Sequence, residues 1–195
     1  MLWILGTIVF KVLFGLKIEG EIPQKGAMVL AANHRSYLDP IVLALITSRR
    51  INFMAKQELF KNPVFAFLIG KLGAFSLRRD KLDKTAYQSA LRVLEEGKIL
   101  ALFPEGTRSV SGKLGKLKEG SIRIALNCKV PIVPVVITGT EKVLPPGKKQ
   151  ITLAKIKVRV GEAVLPEDFK KRKKEVVGDT LQTLKRQMLA LGANK

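Results

Sequence analysis

One cysteine, Cys128, and one histidine, His34, are all that the 195 residues contain of either type. A lone cysteine excludes an internal disulfide and suits a reducing compartment. One imidazole and one thiol are too few for a typical His/Cys zinc site, so no metal is expected. Aromatics are scarce, with 9 Phe, 2 Tyr and 1 Trp, which leaves little to stack on unpaired bases. Acidic residues are few as well: 16 Asp and Glu stand against 35 Lys and Arg, a formal net charge of +19. Such a surface seeks anions, whether nucleic acid, anionic lipid head groups or phosphorylated small molecules. There is no repeat or low-complexity tract, and a hydrophobic share of 47% argues against long disorder. The length suits one domain with its own core.

What is present begins with an apolar run, MLWILGTIVFKVLFGL, over residues 1–16. As a helix it would be about 24 Å long. That is short against a hydrocarbon core of roughly 30 Å, and Lys11 interrupts it. The run lacks the basic start and small-residue cleavage site of a signal peptide. Thr7, Lys11 and Gly15 share one helix face. This suits a helix lying in one leaflet with Lys11 reaching up to the phosphates; a buried core helix is the other reading. The expected organisation is an apolar membrane-anchoring helix in 1–19 and one further domain in 20–195. The basic surface would then meet anionic lipid.

Further along, apolar runs and helical periodicities alternate. Strands are predicted at 27–32, 51–55, 73–77, 99–103 and 132–138, and helices at 40–48, 63–72, 82–96, 119–128 and 175–191. Residues 151–160 alternate and read as an exposed or edge strand. The last helix is basic and follows the run Lys170–Lys174. This order predicts a single α/β domain, a largely parallel central sheet flanked by helices. Ligands in such folds bind beyond the carboxyl ends of the strands. The loops after Ala32, Leu77 and Phe103 are therefore the candidates.

The first loop, Asn33-His34-Arg35-Ser36-Tyr37-Leu38-Asp39, holds the only histidine. Histidine suits proton transfer near neutral pH and needs a partner that fixes its tautomer. Asp39 is five positions on, which on a helix would separate the pair by about 140°; a loop leading into a helix can join them. Asp39-Pro40 reads as a helix start, with Asp39 at the N-cap and Pro40 at the first position. On its own the segment also fits an ordinary histidine and a plain cap. The second loop ends in Arg78-Arg79-Asp80, whose forked guanidinium donors suit phosphate or simply solvent. The third, Phe103-Pro104-Glu105-Gly106-Thr107-Arg108-Ser109, offers Arg108 as another phosphate donor and Gly106 for close backbone approach. It fails the P-loop spacing, and the chain has no G-x-S-x-G elbow.

Together these blocks resemble the four-motif signature of the glycerolipid acyltransferases, the 1-acyl-glycerol-3-phosphate acyltransferase family. NHRSYLD matches the N-H-x-S-x-x-D block, GAFSLRR the glycine-to-arginine block with Arg79, FPEGTRS the third block, and Ile132-Val133-Pro134-Val135 the apolar fourth. LKEGS, with Lys118, is similar to the family's F-K-x-G element, Leu117 replacing the aromatic; Ser76 stands where proline is common. The likeness covers roughly residues 20–165. It implies His34 as general base oriented by Asp39, with direct attack of an acceptor hydroxyl on an acyl thioester. It implies that Arg79, Arg108 and Lys118 hold the acceptor's phosphate, with Gly106 and Thr107 in the same binding loop. Glu105 would orient the arginines or bind a glycerol oxygen. The implied reaction converts 1-acyl-sn-glycerol-3-phosphate to phosphatidic acid, with acyl-CoA or acyl carrier protein as donor and no other cofactor. The expected place is the cytoplasmic face of the cell membrane, held peripherally on anionic lipid. The alternatives are another lysolipid or glycerol-3-phosphate as acceptor, or a non-enzymatic basic binding protein. No nucleic acid is expected, since no recognised module for it is present.

Overall fold

The computed structural model describes residues 2–57, 61, 70, 73–77, 84–148, 150–165 and 173–194. The elements run α1 (Leu2–Phe14), β1 (Lys17–Glu19), β2 (Met28–Ala32), α2 (Asp39–Leu45), β3 (Ile51–Lys56), β4 (Ala74–Leu77), α3 (Lys84–Glu95), β5 (Ile99–Leu102), α4 (Gly120–Cys128), β6 (Ile132–Thr138), α5 (Thr140–Val143), β7 (Lys157–Val160) and α6 (Lys173–Ala190). The predicted helix 63–72 apart from residue 70, with Phe65 and Phe67, and the pair Arg78-Arg79 lie outside the described residues, as does most of the run Lys170–Lys174.

Among the described residues seven strands form one sheet in the order β1-β7-β6-β2-β5-β3-β4. All neighbours are parallel except β6 and β7. The central strand β2, MVLAA, is buried at every position, which is why it reads as an unbroken apolar run. Its even-numbered residues Met28, Leu30 and Ala32 face the core shared with Phe14, Val42 and Leu43; Val29 and Ala31 face the core shared with Leu94, Ile122 and Leu184. So α1 and α2 cover one face, and α3, α4 and α6 the other. Ala86, Ala90 and Leu94, four apart on α3, make its buried stripe.

Several boundaries differ from expectation. Residues 151–156 are not strand. The strand that forms, β7, is interior to the sheet, flanked by β6 and β1. The short β1, not predicted, is the edge on that side among the described residues. It registers Glu19 opposite Arg159 on β7, and the Glu19 carboxylate takes Lys157 at 2.7 Å and Arg159 at 3.1 Å. Three residues carry too little periodicity to announce a strand; tertiary pairing makes it.

The first helix lies on the domain. Phe14 is buried, Phe10 is partly so, and Thr7 Oγ1 donates to the Leu45 carbonyl at 3.4 Å. Of the residues that share one helix face, Thr7 is half-buried against α2 and Lys11 is exposed. Gly6 admits the close approach of α2, for a Cβ there would sit 2.9 Å from the Leu45 side chain. The outward side shows Ile4, Leu5, Ile8, Val9, Val12 and Leu13, all at least 40% exposed. Among the described residues no helix is long and apolar enough to cross a membrane.

Candidate active site

Strand β2 leads over one face to β3, and β5 leads over the other face to β6. Because β2 and β5 are adjacent and parallel, their departing loops separate and leave a crevice at their carboxyl ends. The loop after β2 carries His34, and the loop after β5 carries Glu105 and Arg108.

His34 Nδ1 lies 2.8 Å from Asp39 Oδ2. The Asp39 carboxylate is fully buried and acceptor-rich: Oδ2 also receives Arg35 N–H at 2.6 Å and Ser36 N–H at 2.8 Å, and Oδ1 receives the Thr140 hydroxyl at 2.6 Å. With two backbone N–H groups already donating to it, Oδ2 acts as an acceptor, so it draws the Nδ1–H tautomer and leaves the Nε2 lone pair open. The ring stacks on Phe103, with centroids 4.0 Å apart and planes 19° apart. With its side chain 16% exposed, the imidazole can meet a ligand while its orientation is held.

Asp39 differs from its expected place in one respect. It is the first residue of α2 rather than the N-cap, which is Leu38, and no side chain caps the helix. The carboxylate turns back onto the preceding loop, where an imidazole and two N–H groups offer stronger partners than its own helix does. Asn33 anchors the loop from the other end, donating to Ile137 O at 2.9 Å and accepting from Ile137 N–H at 2.7 Å. Ser36 Oγ donates to Leu144 O at 2.8 Å. Thr140 reaches Asp39 because Gly139 has φ 93°, and a Cβ there would lie 2.0 Å from the Lys155 carbonyl oxygen. Sequence reasoning gave Asn33, Phe103 and Thr140 no role. The first two stand inside the motif blocks; Thr140 stands 101 positions from Asp39 with no local signal.

The third block folds as a turn. Gly106 N–H donates to Phe103 O at 2.9 Å, with Pro104 at the position whose fixed φ favours turns. Gly106 has φ 72°, and a Cβ there would meet Lys118 Nζ at 2.8 Å, so the lysine lies over the glycine backbone. Glu105 is buried. Its Oε1 accepts His34 N–H at 2.9 Å and its Oε2 accepts Gly115 N–H at 2.7 Å. Both oxygens therefore hold backbone: the carboxylate joins the His34 loop to the 106–118 loop. Ser109 N–H closes the same junction onto His34 O at 2.8 Å. Thr107 is exposed.

Arg108 sits with its guanidinium 3.6 Å from the Tyr37 ring centroid. Among the described residues its buried Nη1 has no hydrogen-bond partner. A buried cationic donor left unpaired is costly unless a ligand completes it. Cys128 ends α4, and burial pushes its thiol above the ordinary range, which disfavours the nucleophilic thiolate. Among the described residues no cluster of His, Cys, Asp or Glu could hold a metal ion.

An imidazole held by a carboxylate, on a loop joined to that of an arginine whose Nη1 has no partner among the described residues, suits a class: enzymes that transfer a group to or from an anionic substrate. Comparison with known proteins narrows it. A family model described as Acyltransferase matches residues 15–138, which contain all four blocks. The 1-acyl-sn-glycerol-3-phosphate acyltransferase of Bacillus subtilis is 31% identical over 158 residues, 80% of this chain and 76% of that protein. A chloroplastic enzyme of the same name from Brassica napus is 33% identical over 125 residues, 63% of this chain and 36% of that protein. The crystal structure of the 1-acyl-sn-glycerophosphate (LPA) acyltransferase PlsC from Thermotoga maritima superposes with a TM-score of 0.79 at 32% identity, covering 97% of this chain and 77% of that one. The chain belongs to this acyltransferase family.

Proposed function

We propose that the protein transfers a fatty acyl group from an acyl thioester to the sn-2 hydroxyl of 1-acyl-sn-glycerol-3-phosphate, giving phosphatidic acid. The observation that carries this reading is the pairing, across two adjacent loops, of a base held by Asp39 with the unpartnered Nη1 of Arg108. His34 Nε2 takes the proton of the acceptor hydroxyl as its oxygen attacks the thioester carbonyl carbon. The C–S bond breaks and the thiolate leaves, taking that proton from the imidazolium. An ester and a free thiol result, with no acyl-enzyme. General-base help of this kind is worth about 10²–10⁴ in rate, and positioning supplies much of the rest. Arg108, with Arg79 and Lys118, binds the phosphate; a phosphate on Arg108 would satisfy the donor that the protein leaves open. Gly106 and Thr107 complete that loop. The thiol carrier, coenzyme A or acyl carrier protein, is anionic in either case and suits a net charge of +19.

In the same reading α1 is the membrane anchor of a 20–195 catalytic domain. Its six outward apolar residues bury in one leaflet while Lys11 stays at the phosphates. The single cysteine and the thioester donors are in keeping with the cytoplasmic face.

The test is acyl transfer in liposomes with labelled donor on either carrier, the parent enzyme beside His34→Ala. Phosphatidic acid from the parent and none from the variant is expected. Equal turnover by the variant removes His34 as base. A parent that acylates glycerol-3-phosphate or lyso-ornithine lipid in preference would reassign the acceptor.

A further inference from the structure

Among the large apolar side chains outside α1 that face water, Ile151 and Leu153 stand one residue apart on a single extended stretch. In the stretch 151–156, Ile156 is buried and Ala154 packs on the core, whereas Ile151 and Leu153 are 63% and 72% exposed. The alternation legible in ITLAKI thus turns one apolar set inward and a second one outward. The segment is pinned in place. Thr152 N–H donates to Val143 O at 2.9 Å, Ile156 N–H to Phe14 O at 2.9 Å, and Lys17 N–H to Ile156 O at 3.0 Å. Its exposure is therefore a property of the folded state.

The same hydrogen bonds place the segment at the end of α1. Three extended residues span about 10 Å, so Leu153 lies within that distance of the contact to Phe14. Val12 and Leu13, exposed at 76% and 52%, immediately precede Phe14. Gly15 lies against Lys155, its constructed Cβ being 3.6 Å from the lysine Cγ. Lys11, three residues before Phe14 on α1, and Lys155 are both exposed.

We propose that Ile151 and Leu153 form a second membrane-inserting element, which enters an anionic bilayer beside α1. The proposal rests on the reading of α1 as an anchor and adds a contact that the helix does not supply. Apolar tips among amines are the chemistry of an interfacial lipid contact, the tips entering the acyl region and the amines meeting phosphates. A second copy of this chain is a poorer occupant, because two surfaces carrying +19 each repel one another. One interfacial helix leaves a domain free to rock about the helix axis. A second contact removes that freedom and fixes the height of the site above the lipid that holds its acceptor.

The experiment compares the full chain, Ile151→Asp/Leu153→Asp and Ile8→Asp/Val12→Asp by flotation with vesicles of phosphatidylglycerol and phosphatidylcholine. Circular dichroism and turnover on a short-chain, monomeric acceptor check that each variant is folded. A fall of roughly tenfold or more in partitioning of the first variant, with turnover on the monomeric acceptor retained, supports the second element. Parent-like partitioning of the first variant while the second is released overturns the proposal and leaves the α1 anchor standing. A parent that does not partition overturns both. If the Ile151→Asp/Leu153→Asp chain misfolds, a nitroxide on Leu153→Cys in a Cys128→Ser background decides: protection from aqueous relaxation agents on vesicles supports insertion, and full accessibility overturns it.

Discussion

Replacing Asp39 by asparagine separates the electrostatic part of the site from its geometry. Alanine would be uninformative: it strips acceptors from His34, Arg35, Ser36 and Thr140 in a fully buried place. Each orphaned donor costs about 1–3 kcal/mol, and four approach the whole stability of a domain. Asparagine can turn its carbonyl oxygen to the three donors now served by Oδ2 and its NH2 to the Thr140 hydroxyl, which accepts as well as donates. The hydrogen bonds survive and the negative charge goes. An imidazolium and a carboxylate whose charges lie about 4 Å apart attract by about 4 kcal/mol at an effective dielectric constant of 20. That attraction is realised only once His34 has taken the acceptor's proton, so it belongs to the transition state. At 1.36 kcal/mol per factor of ten, kcat should fall by about 10³. The KM for 1-acyl-glycerol-3-phosphate should change little, because Asp39 is shielded from substrate. Initial rates over a range of acceptor concentrations in mixed micelles, with thermal melts alongside, read both quantities. A folded Asp39→Asn enzyme within tenfold of the parent kcat would refute the role given to the carboxylate.

Arg108→Ala should raise the acceptor KM by about 10- to 100-fold, the worth of one or two charge-assisted hydrogen bonds; a loss confined to kcat would contradict ground-state phosphate binding. Alkylating Cys128 should be slow below pH 9, because burial raises its thiol, and the alkylated enzyme should keep its turnover; inactivation in step with labelling would revive a thiol intermediate. Glu19 has its carboxyl held down to about 2 from 4.5, chiefly by the hydrogen bond from Lys157 and then by that from Lys17, against a desolvation that raises it. A depressed carboxylate adds stability above its unfolded value and loses it as pH falls through the folded one. The melting temperature of Glu19→Gln should therefore lie below the parent's at pH 7, by an amount that salt reduces. The gap should close between about pH 4.5 and pH 2; a gap independent of pH would remove the ion pairs as its cause.

The site was legible in the sequence where its chemistry is packed into short blocks. His34 and Asp39 stand five apart in a loop entering a helix, and the fold brings their side chains to 2.8 Å. The run MVLAA shows itself as a strand buried on both faces because nothing polar interrupts it. The contacts that hold these parts in register were not legible, because each joins residues far apart in the chain. Thr140 meets Asp39 only because β6 lies beside β2, and Glu105 reaches the His34 backbone only because β5 does. Glu105 shows the difference most clearly: its residue type suggested a partner for arginine, and no local signal announced that its two oxygens would take the N–H groups of His34 and Gly115. In the same way ITLAKIKVRV announced alternation but not which half would pair. Pairing is set by the strand order, and that order left Ile151 and Leu153 outside. By itself the sequence determined the histidine–aspartate block, the α/β alternation and an excess of positive charge, since these depend on residue type and local period. Only the tertiary structure decided which N–H groups orient the base, which guanidinium nitrogen remains open and which apolar residues face outward, since those depend on neighbours that chain order does not supply.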